Sequence, residues 1–141
     1  MGRGHVPRRL ICYTSPMNWE DATDVTRDLK DILSKIDMPH VDLKRVVAFR
    51  SYGSKSRARA RIWSFPKIWQ QALNLPAHYV LEVLSEKYDR LSTDDKKRVL
   101  IHELLHIPKN FSGALRPHKA NKWRLDHRMV ETYFKEYSRN T

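Results

Sequence analysis

Ser92–Pro108 reads STDDKKRVLIHELLHIP, and the fold is decided there. Ser92 or Thr93 can cap a helix by accepting from its first free amides. Asp94 and Asp95 then sit at the positive end of the helix dipole. Val99 to Ile107 is apolar apart from His102, Glu103 and His106, and Pro108 follows at once and ends the helix. A helix this apolar belongs in a core, so the flanking segments must supply the layers around it.

Upstream the period changes from helix to strand. RVVAFR (Arg45–Arg50) is β-branched and apolar, and Ser51–Ser56 around Gly53 reads as a turn. Ala58–Phe65 alternates, with Arg59, Arg61 and Trp63 on one side and Ala58, Ala60 and Ile62 on the other. Pro66 opens a short helix through Leu73, and YVLEVLS (Tyr79–Ser85) is a third strand with Glu82 as its lone charge. Further back, Asn18 is placed to cap a helix. Its apolar positions Ala22, Val25, Leu29, Ile32, Leu33 and Ile36 recur at helical spacing until Met38-Pro39. Downstream, Lys119 to Tyr137 predicts a last helix with Trp123, His127, Val130, Phe134 and Tyr137 on its inner stripe. The expected class is α+β: an N-terminal helix, a small, mostly antiparallel three-stranded sheet, the Ser92–Pro108 helix and a C-terminal helix. With 141 residues and no repeat or linker, one domain over 1–141 is expected, with 1–15 as a flexible basic arm.

His102-Glu103-Leu104-Leu105-His106 fits HExxH. Residues four apart on a helix lie on one face, one turn above each other. Two imidazoles so placed can reach one Zn²⁺ at about 2.0–2.1 Å. Glu103 then stands beside the metal, where a carboxylate can accept a proton from an activated water. A catalytic zinc needs a third protein ligand, and three candidates lie downstream. His118 ranks first, because the Ser112-Gly113 turn can bring the chain back under the helix. Glu131 and His127, one turn apart on the last helix, are the alternatives. The metzincin pattern needs a glycine where Lys109 stands and a histidine where Ser112 stands, which excludes that subfamily.

HELLHIPKNFSGALRPH (His102–His118) resembles the active-site segment of the small zincin metallopeptidases of phages and archaea. ARARIWSFPKIWQQAL (58–73) and YVLEVLSEKYDRLS (79–92) resemble the same family, so the likeness covers residues 45–120. It implies a zincin-like domain with His102, His106 and His118 as zinc ligands and Glu103 as general base, acting on a protein or peptide substrate. More distantly, HExxH followed by a histidine in a Gly-containing loop is similar to SprT/Spartan-like proteases, which act on proteins crosslinked to DNA; the spacing here is shorter. In the implied reaction Zn²⁺ polarises the scissile carbonyl, while Glu103 deprotonates the attacking water and then protonates the departing amine. Tyr79–Ser85 is a candidate edge strand for an extended peptide, with an interior position as the alternative. Tyr133 or His127 is a candidate for supporting the oxyanion.

Lys plus Arg number 27 against 16 Asp plus Glu, a net charge of +11. Acids concentrate in Asn18–Asp37, whereas Arg50–Arg61 and Lys109–Arg128 are basic. Arg57, Arg59 and Arg61 are candidate contacts to a phosphate backbone, so a basic nucleic-acid-binding module is the rival reading. The single cysteine, Cys12, excludes an internal disulfide framework and is a candidate latency ligand or, more simply, an idle thiol. No apolar run approaches the ~20 residues of a membrane span. The opening residues lack a signal-peptide core, so the expected compartment is the cytoplasm.

Overall fold

The computed structural model describes residues 17–120 and 123–141. In chain order these form β1 (Asn18–Asp21), α1 (Thr23–Leu33), β2 (Val46–Tyr52), β3 (Ala60–Trp63), α2 (Lys67–Leu73) and β4 (Tyr79–Leu84). After them come α3 (Ser85–Tyr88), α4 (Thr93–Leu104), β5 (Lys119–Ala120), β6 (Trp123–Arg124) and α5 (His127–Arg139). The expected N-terminal arm, with Cys12, lies outside the described residues.

The α+β class stands, but the main sheet has four strands in the order β1-β2-β4-β3 and is mixed, not three-stranded and mostly antiparallel. β2 and β4 run parallel, with Val46 opposite Tyr79 and Ser51 opposite Leu84. β1 and β3 close the two edges antiparallel. Asn18 therefore begins a strand and does not cap a helix. Four exposed residues, NWED, become a strand through pairing with Phe49–Tyr52, reinforced by the Tyr52 hydroxyl donating to Glu20 at 2.8 Å. The helix starts at Thr23, with Asp24 in its first turn.

Tyr79–Leu84 is interior, between β2 and β3, so it is not the edge strand. Its nearly continuous burial is what a parallel strand covered on both flanks requires. The edge beside α4 is β3. Ala60 and Ile62 are buried along with Ala48 and Leu81 of the neighbouring strands. Against this layer pack Val25, Leu29 and Ile32 of α1, Leu100, Ile101 and Leu104 of α4, and Val130, Phe134 and Tyr137 of α5. Fully burying a side chain of this size contributes about 1.5–3 kcal/mol, so the shared core makes α4 a rigid base for whatever it carries.

The C-terminal helix begins at His127, not Lys119. Asp126 caps it, its Oδ1 accepting from the amides of Arg128 and Met129. The preceding residues instead form a two-stranded hairpin, with Lys119 opposite Arg124 and Ala120 opposite Trp123. Among the described residues no helix is long and apolar enough to cross a membrane.

Candidate metal centre

Helix α4 is capped by Ser92, whose hydroxyl accepts from Asp95 N at 3.1 Å. Its regular part ends at Leu104, and His106 lies in a tightened last turn, its amide donating to Glu103 O at 3.1 Å. His102 and His106 still share a side of the helix, with ring centroids 5.3 Å apart. His118 closes the triangle at 5.3 Å from His102 and 4.6 Å from His106. One ligand atom from each ring lies within 4.8 Å of the others.

The nitrogen spacing tests whether a metal fits. Two nitrogens each about 2.0–2.1 Å from a tetrahedral ion stand about 3.3–3.4 Å apart. His102 Nε2 and His118 Nε2 are 3.3 Å apart. His106 supplies a second observation. Its Nδ1 lies 2.6 Å from Arg116 O, and a carbonyl only accepts, so Nδ1 carries the proton and Nε2 keeps its lone pair. Burial holds the pKa of His102 down to about 4, with His106 and His118 adding to it. Burial also lowers His106. Both are therefore neutral near pH 7, as metal ligands must be. The residues present fit a divalent cation.

Glu103 is 8 % exposed, and its Oε2 lies 4.0 Å from His102 Nε2. Burial pushes its pKa up to about 8, against the Ile62 amide, which donates to it and favours the charged form. Ala60, Arg61 and Ile62 of β3, with Leu115, line a cleft of about 290 Å³ together with Glu103 and the three histidines.

The loop that delivers His118 is anchored at many points. His106 O accepts from Arg116 N at 2.7 Å, while His106 Nδ1 donates to Arg116 O. The Tyr79 hydroxyl accepts from Gly113 N at 2.9 Å and donates to Ala114 O at 2.7 Å. The Gln70 amide donates to Phe65 O and Ser112 O, both at 2.8 Å, and Phe65 N donates to Gly113 O at 2.7 Å. Gly113 has φ +94°, and a Cβ there would lie 2.2 Å from Phe65 O. Leu125 N holds His118 O at 2.7 Å from the hairpin side.

A family model described as "Putative phage metallopeptidase" matches residues 17–140. The chain belongs to that family. No curated protein and no solved structure matches it.

In this member of the phage metallopeptidase family the other candidate residues lie elsewhere. Glu131 is turned to Arg98, whose Nε donates to Oε2 at 2.7 Å. His127 is exposed at the start of α5. Both line a neighbouring cavity of about 400 Å³ that shares only His102, Glu103 and Ala60 with the histidine cleft. Tyr133 lines a different cavity of about 1050 Å³, with His40 and Met129. Arg57 and Arg59 are exposed, whereas Arg61 is bound to Glu82 at 3.0 Å. Sequence reasoning did not single out Tyr79, Gln70 or the Arg116 backbone as supports of the third histidine. Of the loop's anchors only Gly113 left a mark, as a turn residue.

Proposed function

We propose that this protein is a zinc-dependent peptidase with His102, His106 and His118 as the metal ligands and Glu103 as general base and then general acid. The observation that carries the reading is the 3.3 Å approach of His102 Nε2 to His118 Nε2 beside a helix that also presents His106. Membership of a family described as metallopeptidases supports it. Three histidine nitrogens converging on one point suit Zn²⁺.

When bound, the cation supplies Lewis acidity for the scissile carbonyl and brings the pKa of a coordinated water near 7. The remaining work falls to the chain. Glu103 takes the proton of the attacking water and passes it to the departing amine nitrogen, which needs a carboxylate held in place and shielded from bulk water. Burial against β3 provides the shielding, and a cation held by the three histidines next to Glu103 would favour the charged carboxylate that burial alone disfavours. The edge of β3, which no other strand pairs among the described residues, replaces Tyr79–Ser85 as the strand along which an extended substrate would lie, gaining main-chain hydrogen bonds at low side-chain specificity. The lone Cys12 accords with work in a reducing, cytoplasmic setting.

Metal analysis and digestion of an unfolded protein substrate test the reading together. One zinc per chain is expected, lost in His102→Ala. In Glu103→Gln zinc is retained and hydrolysis lost. A purified wild-type chain that takes up no zinc overturns the proposal.

A further inference from the structure

Charge lies along this chain in blocks. From Leu43 to Leu81 there is no aspartate or glutamate and there are eight lysines or arginines. That block folds into β2, β3 and α2 with their connections. Arg45, Arg50 and Arg61 are engaged in ion pairs. Lys55, Arg57, Arg59 and Lys67 are exposed.

The same block exposes aromatic surface, with Trp63 at 51 % and Trp69 at 58 %. Trp63 is not a loose side chain. Its Nε1 donates to Glu82 Oε1 at 2.9 Å, and the same oxygen accepts from Arg61 Nε at 3.0 Å. Glu82 is itself 1 % exposed. The Arg61 guanidinium lies 5.5 Å from the Trp63 ring centroid. One buried carboxylate therefore holds both the indole and the guanidinium stacked on it. Val47, Val80 and Trp63 lie in register across β2, β4 and β3, and both ends of that row are exposed. This sheet face is thus open where the indole stands.

A cationic surface alone attracts any polyanion. A half-exposed ring held in place within a block that also carries four exposed cations offers a stacking partner as well. A nucleic acid uses both, its bases on the ring and its phosphates on the cations. A duplex hides the faces of its bases in its own stack. We propose that β3, α2 and the Lys55–Arg59 loop bind single-stranded nucleic acid, with a base stacked on Trp63 and phosphates on Lys55, Arg57, Arg59 and Lys67. The surface adjoins the proposed hydrolytic site, whose cleft β3 also lines, and functions without a bound metal.

Fluorescence anisotropy of a short labelled oligothymidylate, read at several salt concentrations, tests this. Four phosphate contacts on a single strand predict a log–log salt slope of about −3. Trp63→Ala is expected to weaken binding roughly tenfold to a hundredfold, and Trp63→Phe to restore most of it. Should Trp63→Ala fail to fold, the loop pair Lys55→Ala with Arg57→Ala serves instead, and it brings the slope to about −1.5. No binding at low salt, equal competition by polyglutamate of the same charge, or equal affinity for duplex would overturn the proposal.

Discussion

His106 and Arg116 hold each other twice, backbone amide to backbone carbonyl at 2.7 Å and imidazole Nδ1 to backbone carbonyl at 2.6 Å. One bond sets the course of the loop and the other sets the tautomer of the ring. His118 follows two residues later, so the link that orients the second histidine also delivers the third.

Gly113→Ala should break that arrangement. The added methyl meets Phe65 O and the Gln70 amide, at a φ that L side chains rarely adopt. A loss of about 10–100-fold in zinc affinity is expected, comparable to disrupting the partners of a metal-bound histidine. Competition against a chromophoric chelator measures it, and unchanged affinity would mean that the loop does not set the ligand.

The choice of third ligand has a mutational signature. Glu131→Gln should leave zinc binding intact and cost under about 1 kcal/mol, because its carboxylate serves a half-exposed pair with Arg98. His118→Ala should lose the metal. The reverse pattern in metal content would transfer the role to Glu131.

Metal should also stabilise the fold. Free zinc at a hundred times its dissociation constant adds about 2.7 kcal/mol. For a chain of this length that corresponds to a rise in Tm of about 5–10 °C. Calorimetry with zinc and with excess chelator reads it, and coincident transitions would count against a site built into the native state.

Glu82 makes stability depend on acid. Burial alone would raise its pKa, but Ser51, Arg61 and Trp63 outweigh that and hold it below the ordinary 4.5. A carboxyl lowered in the folded state stabilises at pH above 4.5, and the contribution is lost as pH falls through the folded value. Glu82→Gln should cost about 1–3 kcal/mol near neutrality and show a flatter loss of stability on acidification. Urea unfolding midpoints at neutral and acid pH compare the two proteins, and parallel curves would remove Glu82 from the account.

The metal helix was legible because its signals are local: the Ser92 cap, Asp94 and Asp95, and the Pro108 stop all act within the segment. His118 was within reach for a related reason, since a glycine turn beyond a short connection leaves few places for the chain to go. β1 was not legible. NWED has little strand character of its own and is a strand only because β2 lies beside it. The interior place of β4 did leave a trace in its unbroken apolar run, which marks a strand flanked on both sides. Glu131 was ambiguous because Arg98, which occupies it, is 33 residues away in sequence. For the last helix, the amphipathic stripe extended backward past the true start, and Asp126 was the signal that outranked it.

The anchors on the His118 loop begin at Phe111, whose ring packs edge-on against Tyr79 at 5.0 Å between centroids, whereas Lys109 and Asn110 are exposed and lie ahead of them. Insertions or deletions there should shift the count between the second and third histidines while leaving the third in place. A search for distant members should therefore let that gap vary in length and keep Gly113 and the two-residue step from Arg116 to His118 invariant.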